Sequence, residues 1–207
     1  MPATDLQMSP ERELKPVPAA TVVLVRTGLQ SAELEVLLLR RNAKLVFHGG
    51  HWVFPGGRID AQDFARCNPA LEYPAALKAA VRETREEAGI ELDESQLIHL
   101  AHWTTPPKLA RRFCTWFFIY PITTAVSVQV DNDEILEHRW ISPRQALQEA
   151  AEQKLVLPRP TMVTLQDLLL HKSIADLVHT VTQSNIRVFP ENSAYYRPLE
   201  MGCTKLE

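Results

Sequence analysis

The chain has 207 residues, 45% of them hydrophobic and 23% charged, which suits one globular domain with short appendages and leaves no room for a second full one. A net charge of −3 removes any electrostatic case for general nucleic-acid or membrane-surface binding. Cys67, Cys114 and Cys203 are too few and too scattered for a disulfide framework or a CxxC zinc site, and point to a reducing, cytoplasmic setting.

Residues 1–18 are polar and proline-punctuated and are expected to form an extended lead-in, without the apolar core of a signal peptide. No run reaches the roughly 18 apolar residues of a membrane helix. Residues 20–26 and 34–40 are apolar and rich in strand formers, and a turn around Gly28 joins them as a hairpin. Residues 49–57 form a short strand entering a glycine-bounded turn, and 58–73 are expected to be loop. Pro74 suits the first turn of a helix that runs to Ala88 and stops at Gly89. Strands follow at 97–103 and 113–120, parted by Pro106-Pro107, then a shorter one at 135–141. Ser142 caps a helix with Pro143 at its first position, and two amphipathic helices follow at about 159–170 and 173–183. Interleaved strands and helices predict a layered α/β fold over 19–185. The tail 186–207 has no legible role beyond covering a site or packing on the sheet.

The helix ending at Ala88 carries the chemistry. At about 100° per residue, Leu77, Ala80, Val81, Thr84 and Ala88 share the face expected to meet the sheet, while Glu83, Glu86 and Glu87 share another. Three stacked carboxylates repel by roughly a few tenths of a kcal/mol per pair. They also sit near the helix C-terminus, where the macrodipole disfavours anions. A solvated charged face would explain them, since such surfaces are common. Convergent carboxylates also suit a hard divalent cation, Mg²⁺ or Mn²⁺.

The surrounding pattern decides between these readings. Arg82-Glu83-Thr84-Arg85-Glu86-Glu87-Ala88-Gly89-Ile90 resembles the core of the Nudix box, and Phe54-Pro55-Gly56-Gly57 resembles the glycine turn that opens it. In the family pattern an acid follows at position 63, here Asp63 in place of the usual Glu, and the arginine would fall at 71. It stands at 82, so this chain departs from the pattern by an insertion within 64–73. Thr84 fills a slot that is usually bulky and apolar.

The resemblance implies the Nudix α/β/α sandwich with a mixed β-sheet, and metal-dependent hydrolysis of a diphosphate bond in a nucleoside-diphosphate-linked metabolite. It implies Glu83, Glu86, Glu87 and the Gly57 carbonyl as metal ligands, Arg82 as the partner that orients a box carboxylate, and Glu86 as the candidate base. A bound Mg²⁺ or Mn²⁺ would neutralise the diphosphate oxygens and acidify the attacking water. Glu134 and Glu137 lie where the family often places a further acid, and each also fits a solvent-facing role.

The flanks resemble the coenzyme A and acyl-CoA diphosphatase branch, through residues 53–60, Trp103-Thr104-Thr105-Pro106, Arg112-Phe113 with Thr115 and Phe117-Phe118, and Leu157-Pro158 with Pro160-Thr161. The branch signature before the box is partial, since Asn42 and Val46 depart from it and Lys44 is a shifted cation. Arg41, Lys44, Arg58 and Arg112 are the candidate phosphate ligands, each of which also fits a surface cation. Trp103 and Phe117 could stack on an adenine or belong to the core.

An ADP-ribose or NADH diphosphatase would use the same box with different flanks. A non-catalytic Nudix ligand sensor would typically lack box glutamates, and all three stand here. The resemblance implies a small nucleotide substrate as partner, with neither nucleic acid nor membrane. The family often forms homodimers, and no self-complementary patch is legible here.

Overall fold

The computed structural model describes residues 14–29, 32–45, 48–65, 68 and 70–203; most of the lead-in, Val46 and Cys67 lie outside the described residues. The elements in chain order are β1 (Val17–Thr27), β2 (Leu34–Arg41), β3 (Trp52–Val53), β4 (Gly56–Arg58), α1 (Ala61–Ala65), α2 (Glu72–Ala88), β5 (Ile98–Thr104), β6 (Phe113–Pro121), β7 (Ile135–Ile141), α3 (Pro143–Ala151), α4 (Arg159–Leu168), α5 (Ile174–Gln183) and β8 (Arg187–Phe189). The sheet runs β3-β2-β1-β6-β5-β8, with β4 also on β1 and β7 also on β2. It is mixed: β1 with β6 and β5 with β8 are parallel, and the other pairings antiparallel.

Strand alternation sends side chains to two separate cores. Ala20, Val22, Leu24, Leu37, Leu39, Trp116 and Phe118 face α2. Val23, Val25, Val36, Leu38, Phe117 and Ile119 face the other way, against Ala146, Leu165, Leu168, Leu177 and Val181 of α3, α4 and α5. Helices on both faces of one mixed sheet make the expected α/β/α sandwich. Ser142 caps α3 as anticipated, its Oγ accepting from Gln145 N at 3.2 Å.

Three details differ from expectation. The loop 58–73 contains α1, whose start is held by Asp63 accepting from Asp60 N at 2.8 Å. The stripe of α2 that meets the sheet is mostly alanine, with Ala75, Ala76, Ala79, Ala80, Thr84 and Ala88 buried, while Leu77 and Val81 pack only at its margin. Small side chains let the helix approach the strands closely, and the stripe is rotated far enough that Glu87 is buried with it.

The tail is built into the fold through residue 203. β8 pairs parallel with β5, Ala101 opposite Arg187, and Tyr196, Met201 and Cys203 pack in the core beneath α2. No side chain caps the start of α2; instead Met201 O accepts from Tyr73 N at 2.9 Å. No helix among the described residues is long and apolar enough to cross a membrane.

Candidate active site

β1 assembles the site by changing partners along its length. Its C-terminal end pairs with β2, while Ala20 and Thr21 pair with Gly57 and Gly56 of β4. That lays the glycine turn alongside α2. At Gly56, φ is +153° and a Cβ would lie 2.3 Å from Ala20 O, so only glycine fits. At Gly57 a Cβ would lie 2.4 Å from the carboxyl carbon of Glu83, so the bare backbone is what lets this carboxylate lie against the turn.

The three glutamates occupy different environments rather than one shared face. Glu87 is 4% exposed and its Oε2 accepts from Gly56 N at 2.9 Å. Burial, with Glu83 and Glu134 adding repulsion, pushes its carboxyl up to about 8 against the opposing pull of the Gly56 N–H and Arg41. Glu83 is partly buried and also raised, chiefly by burial. Glu86 is exposed on the outer side of the helix.

Arg82 organises the cluster. Its Nη1 donates to Glu83 at 2.8 Å and to Glu86 at 3.0 Å. Its Nε and Nη2 donate to Asp63 at 3.1 and 2.9 Å, and Nη2 donates also to Arg58 O at 2.9 Å. These bonds hold its guanidinium still more firmly protonated, the pairing with Asp63 being the main cause. Asp63 is 3% exposed, so α1 supplies a buried anchor for Arg82. The displaced acid of the box is thus brought to its arginine across the insertion.

Arg41, at the end of β2, stands between two carboxylates. Its Nη1 lies 3.5 Å from Glu87 Oε1 and its Nη2 3.2 Å from Glu134 Oε2. Glu134 is carried there by the loop before β7, where Asn42 N donates to Glu134 O at 2.7 Å and Asn42 Nδ2 to Asp133 O at 2.9 Å. Glu137 instead pairs with Arg40 at 2.6 Å on the surface.

The donor set fits a hard cation: buried and half-buried carboxylates crowd a backbone turn that no side chain obstructs, and they outnumber the arginines between them. As they stand, no three such side chains among the described residues form a cation site: Arg82 bridges Glu83 and Glu86, and Arg41 lies between Glu87 and Glu134.

A NUDIX domain model matches residues 15–160. The chain belongs to the Nudix hydrolase family. It is 26% identical over 168 residues to nudix hydrolase 7 of Caenorhabditis elegans, an alignment covering 64% of this chain and 55% of that one. It is 24% identical over 238 residues to the acyl-coenzyme A diphosphatase NUDT19 of Xenopus laevis, covering 71% and 63%. The m7GpppN-mRNA hydrolase NUDT17 of Bos taurus is 27% identical over 157 residues, covering 69% and 48%. The chain therefore spans about half to just under two thirds of these relatives. A NUDIX hydrolase of Alicyclobacillus acidocaldarius shares the fold with a TM-score of 0.70 at 23% identity, over 83% of this chain and 98% of that one.

Other sequence candidates in this Nudix domain scatter. Arg58 and Lys44 are exposed and form no ion pair among the described residues. Arg112, the remaining candidate, is 5% exposed, and its guanidinium donates to Thr105 O at 3.1 Å and Leu14 O at 2.6 Å. Those bonds tie the start of β1 to the loop before β6 and leave little surface for a ligand. Trp103 is half-buried, stacked on Phe189 at 3.8 Å and packed against the core, and Phe117 is buried within it. Sequence reasoning missed the Arg41–Glu134 link and the anchoring by α1. The Asp60-x-x-Asp63 spacing was the available sign of the second.

Proposed function

We propose that this chain hydrolyses the diphosphate bond of a nucleoside-diphosphate-linked metabolite with a bound Mg²⁺ or Mn²⁺. The observation that carries the reading is the Glu83 carboxylate lying against the bare backbone of Gly57 beside buried Glu87. Glu83, Glu87, Glu86 and the Gly57 carbonyl are the ligand set. The ion, when bound, places positive charge against the diphosphate oxygens and acidifies the attacking water. Arg82, fixed by Asp63, positions Glu83 and Glu86. Glu86 is exposed and can take the proton of the water that attacks phosphorus. Exposed Arg58 and Lys44 are free to meet substrate phosphates, with Arg41 at the same end of the site.

The substrate we favour is coenzyme A or an acyl-CoA, split to 3′,5′-ADP and a 4′-phosphopantetheine species. The flanking motifs support this, as does the likeness to the Xenopus acyl-coenzyme A diphosphatase. The same box would serve ADP-ribose or NADH, which are the competing substrates, and a cap hydrolase matches at similar identity. The test is product-mass analysis with Mg²⁺ or Mn²⁺ across CoA, acetyl-CoA, ADP-ribose, NADH and a dNTP. Release of 3′,5′-ADP from the CoA species, with the others about tenfold slower or more, is the expected result. A faster dinucleotide reassigns the substrate, and inertness toward all five favours a ligand sensor.

A further inference from the structure

The two arginines among the carboxylates are seated differently. Arg82 spends every arm of its guanidinium on close acceptors, four of its five contacts at 3.0 Å or less. Arg41 has a 3.5 Å approach to Glu87, too long for a good hydrogen bond, and a 3.2 Å bond to exposed Glu134. Its Nε is buried and meets no acceptor among the described residues. Buried N–H groups are normally satisfied, so this is not the seat of a finished structural ion pair. The backbone beneath it is nevertheless fixed: Arg41 N donates to His51 O and Gly50 N donates to Arg41 O, both at 3.0 Å. The guanidinium is a loosely held group on a firm base.

Its position conflicts with that of a cation on Glu87. A guanidinium and a divalent ion beside one buried carboxylate repel strongly where water is scarce. Occupancy of one must weaken the other, and by linkage the effect is reciprocal. We propose that Arg41 is a built-in counter-cation: it holds Glu87 and Glu134 in the metal-free protein, and is released toward the substrate diphosphate once those carboxylates are ligated to a divalent ion. The inference rests on the metal reading of the site given above. It assigns Arg41 a positioning role that couples ion binding to nucleotide binding, and it explains why the side chain leaves Nε unpaired.

The coupling predicts effects of opposite sign from one substitution. In the full chain without nucleotide, Arg41→Gln should bind Mn²⁺ at least about fivefold more tightly than the wild type, by calorimetry or electron paramagnetic resonance. With Mn²⁺ saturating, the same variant should bind the non-hydrolysable probe α,β-methylene-ADP about tenfold more weakly, through the lost charge-assisted contact. Unchanged or weaker Mn²⁺ binding in Arg41→Gln overturns the proposal. Tighter Mn²⁺ binding with unchanged probe affinity overturns its second half. A wild-type protein that binds no Mn²⁺ overturns the metal reading together with it, whereas failure confined to the variants leaves that reading standing. Should Arg41→Gln not fold, judged by circular dichroism, Arg41→Lys makes the same comparison. A single ammonium cannot span both carboxylates, so Mn²⁺ binding should again tighten, by a smaller factor, and an unchanged value overturns the proposal.

Discussion

At the C-terminal end of α2 buried carboxylates are met by a backbone N–H and two arginines, whereas near its N-terminal end a buried imidazole is met by rings alone. Glu87 accepts from Gly56 and Asp63 accepts from Arg82. His102 is fully buried, 5.0 Å from Trp116 and 4.8 Å from Tyr196 between ring centroids, and neither of its nitrogens has a hydrogen-bond partner among the described residues. Burial lowers its pKa to about 4. Glu72 accepts from Trp116 Nε1 at 2.8 Å, and burial raises its carboxyl. One end of the helix meets its buried carboxylates with donors, and the other surrounds a buried imidazole with rings. Groups held in place ahead of any ligand at the charged end are what the proposed site would use, carboxylates for the cation and N–H donors for the anionic substrate.

The sharpest way to break this contrast is at the charged end. Glu87→Gln and Glu86→Gln should each lower turnover about 10²-fold or more with the fold intact, measured on whichever diphosphate substrate the product screen identifies. Near-normal rates in both would remove the carboxylates from the chemistry. Melting of the Glu87→Gln variant should be unchanged or raised, since burial already disfavours the charged form of this carboxyl and the amide fits the same space. Gly57→Ala should reduce turnover by about tenfold to a hundredfold, because the added methyl displaces the Glu83 carboxylate. A silent Gly57→Ala would show that Glu83 need not lie against the turn.

The apolar end is tested through stability. Deleting residues 196–207 removes Tyr196, Met201 and Cys203 from the core and the carbonyl that caps α2. We expect a loss of about 4 kcal/mol in urea unfolding, from apolar burial plus the cap. A loss under about 1 kcal/mol would make the tail an ornament.

The smallest effect is confined to acid. His102 has a folded pKa near 4 against 6.5 in its ordinary state, so the unfolded chain binds the proton more readily. Its neutral form imposes no penalty above pH 6.5, and stability falls as pH drops from 6.5 toward 4, by up to about 3 kcal/mol in all. His102→Phe should flatten that part of the stability–pH curve. An unchanged slope would locate the acid sensitivity elsewhere.

The box helix, its glycine stop and the turn before it were legible because each depends on local rules: helical spacing, the left-handed Gly89 at φ +67°, and steric room at Gly56. The histidine pocket was not. His99 and His102 are three apart on β5 and would face opposite sides of a regular strand, yet both lie against Trp116. The pairing with β6 shifts register between His99 and Ala101, and that bulge turns both rings inward. The surroundings of Arg112 were not legible for a related reason: they come from Leu14 and Thr105, which only folding brings together.

The sequence by itself determined the layered architecture and the family and singled out the candidate carboxylates, since periodicity, turn chemistry and box spacing are properties of neighbouring residues. Tertiary structure decided which of those carboxylates is buried, that Asp63 reaches Arg82 across the insertion, that Arg41 stands between Glu87 and Glu134, and that the tail closes over α2. Each of these joins residues about 19 to 130 positions apart, where partners are set by strand pairing and packing, and local pattern carries no information about them.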